Sequence, residues 1–575
     1  MARIGVFICW CGSNIAGTVD VDRLVEELRD VPGVAHAENY MYMCSDPGQD
    51  RIKTGIREHR LDRVVVASCS PRMHETTFRR AAASVGLNPY LVEIANIREQ
   101  CSWVHQNDKE AATRKALNII LATIEKVRRN ASLEAIRVPL TKRALVVGGG
   151  IAGITAALEL ADAGYETVLV EREAELGGNV RRLSRTFPYH EDARDILEPR
   201  VNAVAEHPNI RLYTRSRVVS TEGYVGNFQV EIQPEGGEPV RETVGAIVVA
   251  TGYRLYPVER MAEYGAGRYP DVIDALAFEG LLREGIEAGG PVRRPSDGRP
   301  VRDVVFIQCS GSRDPENHKP YCSRICCLYT NKQARLFRDL NPEGRAVVSF
   351  MDIRTDCKNT EEYCQQNIEE AGIAYVRGRV SRLWEEDGRV TLWTADTLTG
   401  EALELTADLV VLAQAVEPAE GYEEVSALMR AGVDQNGFFQ ESHIKLRPVE
   451  SSTRGVYLAG AGQYPKDITD SVAQAMATAS KIQSLFASEE LSQDPLVARV
   501  DPDACSACGL CVPICPYDAR ELDPVAGYSR VNEALCQGCG ACVAVCPNKA
   551  CELKNDSPAQ VIGEIEVFAA GQLGG

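Results

Sequence analysis

The chain has 575 residues, 45% of them hydrophobic and 25% charged, and a formal net charge of −18. That length allows three or four domains with a core each, and the acidic balance argues against nucleic acid or a basic membrane-surface patch as a partner. No apolar run approaches the roughly 18 residues of a membrane-spanning helix. The first residues are typical of a strand and not of a signal peptide. We therefore expect a cytoplasmic protein with no direct membrane span.

Twenty cysteines are the unusual feature of the composition. In a large cytosolic chain, clustered cysteines indicate metal or redox chemistry and not disulfides. Nine of them lie in residues 505–551, four in 309–327 and five before residue 102, whereas Cys357 and Cys364 stand apart. This grouping predicts several separate metal sites.

Residues 1–133 are predicted to form a small parallel α/β domain. Its strands are expected at 4–9, 35–43, 63–67 and 90–94, and its helices at 21–28, 49–58, 73–84 and 109–128. Cysteines occur where these strands end, and open parallel sheets bind ligands beyond the carboxyl ends of their strands. We therefore expect one cluster site, with Cys11, Cys44, Cys69 and Cys101 as ligands and Cys9, which lies inside the first strand, in reserve. The alternative is a set of buried, inert cysteines, which are common in protein cores.

A dinucleotide-binding fingerprint follows a short linker around residues 133–142. An apolar strand runs into G-x-G-x-x-G at Gly148, Gly150 and Gly153, a helix follows, and Glu171 ends the next strand about twenty residues on. The glycines permit a tight turn and close approach of the backbone to a pyrophosphate at the helix N-terminus, and Glu171 can accept from a ribose hydroxyl. The pattern predicts a nucleotide site.

Two later stretches place small residues after apolar strands, at 250–252 and 460–462. In flavoproteins with two dinucleotide-binding halves, such turns lie beside the bound cofactor, so three distant pieces would build one flavin pocket. The alternative for each later piece is an ordinary buried strand with a glycine turn. The residues expected to line the pocket are Gly148, Gly150, Ile151, Ala152, Gly153, Glu171, Arg172, Gly178, Asn179, Ala250, Thr251, Gly252, Gly460, Ala461, Asp467 and Ile468.

The second half of such a protein would carry another G-x-G-x-x-G after the strand at 304–308. That strand runs instead into four cysteines spaced C-x12-C-x3-C-C, namely Cys309, Cys322, Cys326 and Cys327. A cubane cluster needs four thiolates, and this loop supplies that number. It therefore predicts an iron–sulfur cluster in place of NAD(P)H, with zinc or plain thiols as the alternatives.

Residues 499–555 contain the strongest motif, C-x2-C-x2-C-x3-C-P, twice. In a two-cluster ferredoxin each run gives three ligands to one cluster and its fourth to the other. One [4Fe–4S] set is therefore Cys505, Cys508, Cys511 and Cys546, and the other is Cys536, Cys539, Cys542 and Cys515. Cys551 is left over and is expected to be a small buried hydrophobe, and residues 556–575 are expected to be a tail.

With these motifs the chain resembles the A subunit of heterodisulfide reductase over essentially its whole length. The specific matches are Cys9-x-Cys11-Gly12 and the stretches 44–49, 69–71, 96–101, 309–327 and 466–471. The resemblance implies a thioredoxin-reductase-like core at 134–498 that binds FAD, a cluster in the N-terminal domain, one in the loop at 309–327 and two in the ferredoxin unit. It also implies that Lys332 is a catalytic residue near flavin N5, where a cation would stabilise negative charge. The alternative for Lys332 is a solvated helix lysine.

Two departures from that family affect the cofactor count. Residues 215–251 contain no cysteine, so the family's inserted two-cluster ferredoxin is absent and we expect four [4Fe–4S] clusters and one FAD. The second flavin fingerprint usually ends in Gly-Asp, but here it reads Gly460-Ala461-Gly462. Asp467 or backbone amides of the following helix would then meet the ribityl chain.

The function that the resemblance implies is electron transfer with flavin-based bifurcation, from a two-electron donor to a high-potential acceptor and ferredoxin. The implied partners are B- and C-like subunits, a hydrogenase or formate dehydrogenase input subunit, and ferredoxin, in a dimer of heteromers. One alternative is a non-bifurcating link from a hydrogenase or formate dehydrogenase to a quinone-linked or benzoyl-CoA-reducing partner. Another alternative is an NAD(P)H-dependent flavin reductase, against which the missing second glycine motif argues. A third is a scaffolding subunit with vestigial cofactors.

Overall fold

The chain is divided into two units in the computed structural model, which describes residues 2–573. The first unit contains the residues up to Val138 and those from Leu491 onward, and the second contains Pro139–Glu490. The ferredoxin segment therefore shares a unit with the N-terminal domain, although about 350 residues separate the two in sequence. Met1 and the last two residues of the expected tail lie outside the described residues.

The N-terminal domain is a parallel sheet in the order β2-β1-β3-β4, with helices in the connections. Its elements are β1 (Ile4–Cys9), α1 (Ser13–Ala16), α2 (Val21–Arg29), β2 (Val34–Tyr40), α3 (Asp46–Glu58), β3 (Arg63–Ser68), α4 (Pro71–Ala83), β4 (Val92–Asn96), α5 (Lys109–Arg128) and β5 (Ile136–Pro139). Strand β1 is buried throughout, with Ile4, Val6 and Ile8 in one core cluster and Phe7 and Cys9 in another, as the two-residue period of a strand requires.

Strands β2 and β4 differ most from the predicted ones. Strand β2 ends at Tyr40 and not at Met43, because the following turn is held by Ser45, whose hydroxyl donates to Tyr42 O and accepts from Gly48 N at the start of α3. Strand β4 begins at Val92, because a 3₁₀ turn at Pro89–Leu91 precedes it.

The second unit begins with a half whose main sheet has the order β23-β24-β25-β12-β6-β7-β8. The elements up to the exit from this half are β6 (Arg143–Val147), α6 (Ile151–Asp162), β7 (Glu166–Val170), α7 (Ala193–Glu206), β8 (Ile210–Tyr213), β9 (Ser216–Tyr224), β10 (Asn227–Pro234), β11 (Val240–Val244), β12 (Ala246–Val249) and β13 (Tyr253–Leu255). Strands β9 to β11 form an antiparallel sheet of their own, in the sequence region where the family's inserted ferredoxin would lie.

A second half repeats this plan around the parallel sheet β14-β21-β15-β16-β17. Its elements are β14 (Val272–Asp274), α8 (Ala275–Ala288), β15 (Asp303–Ser310), α9 (Cys326–Leu340), β16 (Arg345–Phe350), α10 (Thr360–Glu369), β17 (Ala374–Arg377), β18 (Arg382–Glu386), β19 (Arg389–Asp396), β20 (Glu401–Ala407), β21 (Leu409–Gln414) and β22 (Val416–Pro418). In each half a three-stranded antiparallel sheet is inserted between two parallel strands of the main sheet, β9–β11 between β8 and β12 in the first half and β18–β20 between β17 and β21 in the second. The predicted pair of dinucleotide-binding halves is confirmed.

The chain then returns to the first half and finishes in the ferredoxin segment. The returning elements are α11 (Tyr422–Met429), β23 (Glu441–His443), β24 (Arg447–Ser451), β25 (Val456–Leu458), α12 (Ile468–Phe486) and β26 (Glu490–Gln493). The ferredoxin segment contains β27 (Ala498–Val500), β28 (Arg520–Asp523), β29 (Tyr528–Val531), α13 (Ala541–Ala544) and β30 (Cys551–Leu553), and α14 (Pro558–Leu573) follows. Strands β27 and β30 pair antiparallel, as do β28 and β29.

Helix α14 is a difference from the sequence-based expectation, which treats residues 556–575 as a tail. It packs on α5, and Gln560 Nε2 donates to Asn130 Oδ1 at 2.7 Å. Asn555 precedes it and accepts from Ala131 N at 2.8 Å. No helix among the described residues has both the length and the apolar character needed to cross a membrane.

Candidate flavin and iron–sulfur sites

The glycine loop at the end of β6 forms the N-terminus of α6. Gly148 has φ 109°, and a Cβ there would lie 2.4 Å from Ala250 O, so a side chain is excluded on both counts. A Cβ on Gly150, in contrast, would meet no atom within 4 Å. Open space therefore faces the N-terminus of α6, where backbone N–H groups and the helix dipole favour a pyrophosphate.

The structure brings the three predicted flavin pieces to this helix end. A Cβ on Gly460 would lie 2.7 Å from Ala152, and one on Gly462 would lie 3.4 Å from Thr251 Oγ1. The Thr251 hydroxyl is buried and has no hydrogen-bond partner among the described residues. An orphan polar group beside an open glycine cradle fits a bound flavin, which supplies acceptors there.

Most of the other predicted pocket residues adjoin the same loop. Glu171 Oε2 accepts from Gly149 N at 2.5 Å and Oε1 from Glu173 N at 2.8 Å. A Cβ on Gly178 would lie 3.2 Å from Gly150 Cα, and Asn179 Nδ2 donates to Tyr253 O at 3.0 Å. Ile151 and Ile468 meet in one apolar cluster, and Arg172 donates to Glu420 O.

Asp467 is the N-cap of α12, and both oxygens of its carboxylate accept hydrogen bonds. Oδ1 accepts from Asp470 N at 2.7 Å, and Oδ2 accepts from the Cys357 thiol at 3.5 Å. Burial raises the pKa of Cys357 to about 11, and the neighbouring carboxylates of Asp467 and Asp356 add to that shift. Cys364 is buried separately in α10, and burial raises the pKa of its thiol.

Lys466 is a site residue that the sequence reasoning missed. Its ammonium donates to Gly460 O at 3.1 Å and to Gln463 Oε1 at 3.0 Å, and it lies 3.3 Å from the centre of the Tyr464 ring. Burial lowers the pKa of Lys466 from 10.5 to about 7. Lys466 lies in the matched stretch 466–471 but has no role predicted from the sequence.

The four loop cysteines come together at the carboxyl end of β15. Burial, with the neighbouring thiols of Cys327 and Cys322, raises the pKa of Cys309 to about 11, and Arg313 opposes that shift. Cys326 is the first residue of α9, and its thiol is hydrogen-bonded to that of Cys327. The thiols of Cys309 and Cys322 also act on it electrostatically. A [4Fe–4S] cluster needs four thiolate ligands, and these four converging thiols supply that number. An arginine lies beside them.

Arg313 and Arg324 are cationic neighbours of this loop. Arg313 pairs with Asp352 at 2.8 Å while also hydrogen-bonding Cys309. Arg324 N donates to Cys322 Sγ at 3.3 Å, and its guanidinium pairs with Asp356 and Asp470. The loop is thus connected by ion pairs to the N-terminal end of α12 in the flavin-binding half.

Lys332 lies in α9 and is only 1% exposed, so the alternative of a solvated helix lysine is wrong. Its Nζ donates to Glu279 Oε1 at 2.5 Å and to Arg185 O at 2.9 Å. Burial alone would raise the pKa of Glu279, but the charge of Lys332 and hydrogen bonds from Lys332, Gln333 and Ser184 hold it below 4.5. Sequence reasoning missed Glu279 because nothing links it to Lys332 along the chain.

In the N-terminal domain, four of the five cysteines converge. The thiols of Cys11 and Cys44 act electrostatically on both Cys9 and Cys69. Cys9 Sγ accepts from Cys11 N at 3.3 Å and from Met43 N at 3.4 Å, as a buried thiolate ligand would. The structure thus brings Cys9, expected only as a reserve ligand, into the group.

Cys101 does not join that group. It is fully buried, and its thiol donates to Ala112 O in α5 at 3.1 Å. A cation adjoins the converging thiols instead, since Arg98 Nη1 donates to Cys11 Sγ at 3.2 Å and pairs with Glu99. These four thiols and their donors fit a cluster, and the expected ligand Cys101 is placed in the helix-facing core.

The ferredoxin segment places its first predicted ligand set around one cavity. Cys505, Cys508, Cys511 and Cys546 line it together with Ser529 and Cys551. In the second predicted set, Cys536 and Cys542 share an apolar cluster with Cys515. Cys536 Sγ accepts from Ala498 N and Cys515 Sγ from Ala519 N, both at 3.3 Å, and Cys539 is exposed.

Arg520 is a buried residue of this segment that the sequence reasoning did not single out. It is 5% exposed, its Nη2 donates to Cys551 Sγ at 3.1 Å, and its Nε and Nη1 have no hydrogen-bond partner among the described residues. Buried N–H donors without acceptors carry a large energetic cost. The negatively charged sulfur of a cluster would satisfy them, so the residues present fit the predicted clusters.

Family models match two parts of the chain. Residues 142–281 match the family described as pyridine nucleotide-disulphide oxidoreductase, and residues 504–550 match the 4Fe-4S dicluster domain. Among solved structures, the thioredoxin reductase of T. acidophilum is 16% identical, with a TM-score of 0.42, over 60% of this chain and all of the other.

Curated relatives match almost the entire chain. The iron-sulfur A subunit of a CoB–CoM heterodisulfide reductase of Methanopyrus kandleri is 40% identical over 90% of this chain and 91% of its own. The A subunit of the H2:CoB–CoM heterodisulfide,ferredoxin reductase of Methanothermobacter thermautotrophicus is 38% identical over 91% of both chains. The A subunit of the ferredoxin/F420H2-dependent CoB–CoM heterodisulfide reductase of Methanosarcina acetivorans is 36% identical over 90% of this chain and 74% of its own.

Fold and sites together define an oxidoreductase of the FAD and iron–sulfur class, built on a thioredoxin-reductase-like core with a ferredoxin segment. The chain belongs to the family of heterodisulfide reductase A subunits. The predicted family and fold class are confirmed.

Proposed function

We propose that this protein is the electron-bifurcating subunit of a heterodisulfide-reductase-type complex. FAD at Gly148–Gly153 would take two electrons from a donor and deliver one to a high-potential acceptor and one to ferredoxin. The names of its relatives include H2, F420H2 and ferredoxin as reactants, which supports donors and acceptors of these kinds. The expected partners are B- and C-like subunits, a hydrogenase or formate dehydrogenase input subunit, and ferredoxin, in a dimer of heteromers.

The observation that carries the proposal is the cysteine loop at the carboxyl end of β15. Parallel dinucleotide-binding halves bind their ligand at that edge of the sheet, and here four thiols converge there. The flavin would therefore face a one-electron carrier where a nicotinamide reductase has a hydride donor. FAD supplies both two-electron and one-electron exchange when bound, and the protein supplies position and charge.

Lys332 is the residue we propose to tune the flavin. Its ammonium is buried, neutralised by Glu279 and anchored to Arg185 O, which follows the Gly178–Asn179 turn of the flavin-binding half. A cation held in a site of low dielectric interacts strongly with any negative charge that develops nearby. Lys332 would thus stabilise added electrons, and Glu279 would limit that stabilisation.

We further propose four [4Fe–4S] clusters. Two have the crossed ferredoxin ligand sets, one is held by Cys309, Cys322, Cys326 and Cys327, and one by Cys9, Cys11, Cys44 and Cys69. The last set replaces Cys101 with Cys9 on the evidence of the hydrogen bonds that each thiol makes. Anaerobic purification with iron and flavin analysis tests the count, because four cubanes require about sixteen iron atoms per FAD.

The bifurcation itself is tested on the native complex, purified without oxygen together with its co-purifying chains. Supplied with the substrate of its input subunit, it should reduce ferredoxin only while a high-potential acceptor is also present and being reduced. Ferredoxin reduction without the acceptor, or acceptor reduction with no ferredoxin reduction, would favour the non-bifurcating link. Rapid bleaching of the flavin by NADH in the isolated protein would instead favour a flavin reductase.

A further inference from the structure

The two halves of the ferredoxin segment are a sequence repeat that differs at one buried position. Each of the four motif cysteines recurs 31 residues later, Cys505 at Cys536 and Cys515 at Cys546. By the same offset, Arg520 corresponds to Cys551. The two residues are buried and in contact, with Arg520 Nη2 donating to Cys551 Sγ at 3.1 Å. At this pair of equivalent positions, the first half of the repeat therefore has a cation and the second half has a thiol.

The guanidinium of Arg520 points into the cysteine-rich interior. Its Nη2 donates to Cys551, which lines the same cavity as the first predicted ligand set, and its charge acts on Cys551, Cys511 and, more weakly, Cys542. Nε and Nη1 have no partner in the described part of the chain. Among the described residues no carboxylate pairs with it in the way that Glu279 pairs with Lys332, since the acceptor of its hydrogen bond is the Cys551 sulfur. Arg520 thus keeps a positive charge and free donors beside the ligands of the first predicted set.

Two ligands of the second predicted set accept from backbone donors. Cys536 Sγ and Cys515 Sγ each accept from a backbone N–H at 3.3 Å. Backbone donors carry only partial charges, whereas a buried guanidinium carries a full one in surroundings that screen it little. Cluster potentials depend on net charge and on hydrogen bonds to the sulfurs, so the two sites are chemically unequal.

We propose that Arg520 raises the reduction potential of the cluster held by Cys505, Cys508, Cys511 and Cys546 above that of its neighbour. This inference rests on the proposed ferredoxin clusters and adds an order to them. Cys515, Cys536, Cys539 and Cys542 would then hold the electron-donating cluster and the first set the accepting one, so that the single electron lost by the donor would be the one gained by the acceptor. No bond is made or broken and no proton moves, because Arg520 stays protonated throughout. Arg520 acts on the cluster through the electrostatic field of its positive charge and is therefore a positioning residue and not a catalytic one.

The test is a redox titration of the full-length protein, purified without oxygen with its cofactors and followed by electron paramagnetic resonance. Ligand variants Cys508→Ser and Cys539→Ser identify which signal belongs to which ferredoxin cluster. In the wild type, the cluster marked by Cys508 should have the higher midpoint potential. Arg520→Gln should then change its ratio of reduced to oxidised form at a fixed potential by at least tenfold, which is about 59 mV for one electron.

Two further variants separate the charge from its setting. Arg520→Lys keeps a cation and should retain the wild-type order of the two midpoints. Arg530→Gln is the matched control, because Arg530 lies on the same hairpin but is exposed and paired with Asp523 at 2.7 Å, so neither midpoint should move. Iron content is measured for each variant.

Measurements on the wild type alone would overturn the inference if the two midpoint potentials were equal, or if the cluster marked by Cys539 had the higher one. Equal shifts of both signals in Arg520→Gln, or no shift at unchanged iron content, would also overturn it. A different result, in which neither ligand variant alters any signal, would contradict the proposed ferredoxin clusters themselves.

Discussion

Replacing Glu279 by glutamine should destabilise the second unit strongly. Lys332 and Glu279 form an ion pair at 2.5 Å with 2% of each side chain exposed. Removing one partner of a buried pair leaves the other charge uncompensated, at a cost of about 3–5 kcal/mol. The glutamine amide would also face N–H and O–H donors from Ser184, which now donate to Glu279 Oε2 at 2.9 and 2.7 Å. We therefore expect Glu279→Gln to lower the free energy of unfolding by about 3–5 kcal/mol.

Denaturant unfolding of the flavin-loaded protein, followed by flavin fluorescence on release, measures this loss. The matched control is Asp339→Asn on α9, because the Arg335–Asp339 pair at 3.3 Å is partly exposed and should contribute only about 0.3–0.5 kcal/mol. The double variant Glu279→Gln with Lys332→Met should recover most of the loss, since it removes the uncompensated ammonium while the glutamine carbonyl can still accept from Ser184. A loss from Glu279→Gln no larger than that from Asp339→Asn would refute the reasoning.

Three more outcomes follow from the sites. Gly148→Ala should abolish flavin binding because its Cβ would meet Ala250 O at 2.4 Å, whereas Gly280→Ala, with no atom within 4 Å, should leave the flavin content unchanged. Cys9→Ala should remove about four iron atoms per chain and Cys101→Ala none; iron loss only in the second variant would contradict the ligand set. The pKa of Lys466 is about 7 in the folded protein, against an ordinary value of 10.5. Between these two pH values the unfolded chain binds more protons than the folded one, so stability should rise with pH from about 7 to 10.5. Denaturation midpoints of wild type and Lys466→Met across that range check this, and parallel profiles would contradict it.

Local patterns were sufficient to predict the flavin loop. The strand before Gly148, the helix after it and Glu171 are fixed by short-range spacing, and a glycine with φ 109° leaves the chain few alternatives. The ferredoxin motifs are equally local, because three of the four cysteines in each run are expected to bind the same cluster. These elements lie in the structure where the sequence placed them.

Choosing among the N-terminal cysteines required side-chain directions that the sequence does not contain. The rule that ligands lie beyond strand ends selected the edge of the sheet at which four of these cysteines converge. It could not show that the Cys101 thiol turns to Ala112 O in α5, or that Cys9 at the end of β1 accepts backbone hydrogen bonds from the next turn. Both facts depend on how α5 and the loop after β2 pack.

Residues paired over long distances were equally out of reach. Glu279 lies on α8 and Lys332 on α9, and their pairing is set by the packing of those two helices. Arg520 was hidden for another reason, since a charged residue at the start of a hairpin strand is normally solvent-exposed. Its burial is intelligible only when the thiols around it are seen.

The division of the first unit between the two ends of the chain has a consequence for biosynthesis. Synthesis adds about 5–20 residues per second, so the roughly 350 residues of the second unit delay the ferredoxin segment by on the order of 20–70 s. During that interval the nascent N-terminal domain lacks α14, and Asn130 and Ala131 lack the partners that Gln560 and Asn555 later provide. Completion of the first unit must therefore come last, after the flavin-binding core has had time to fold.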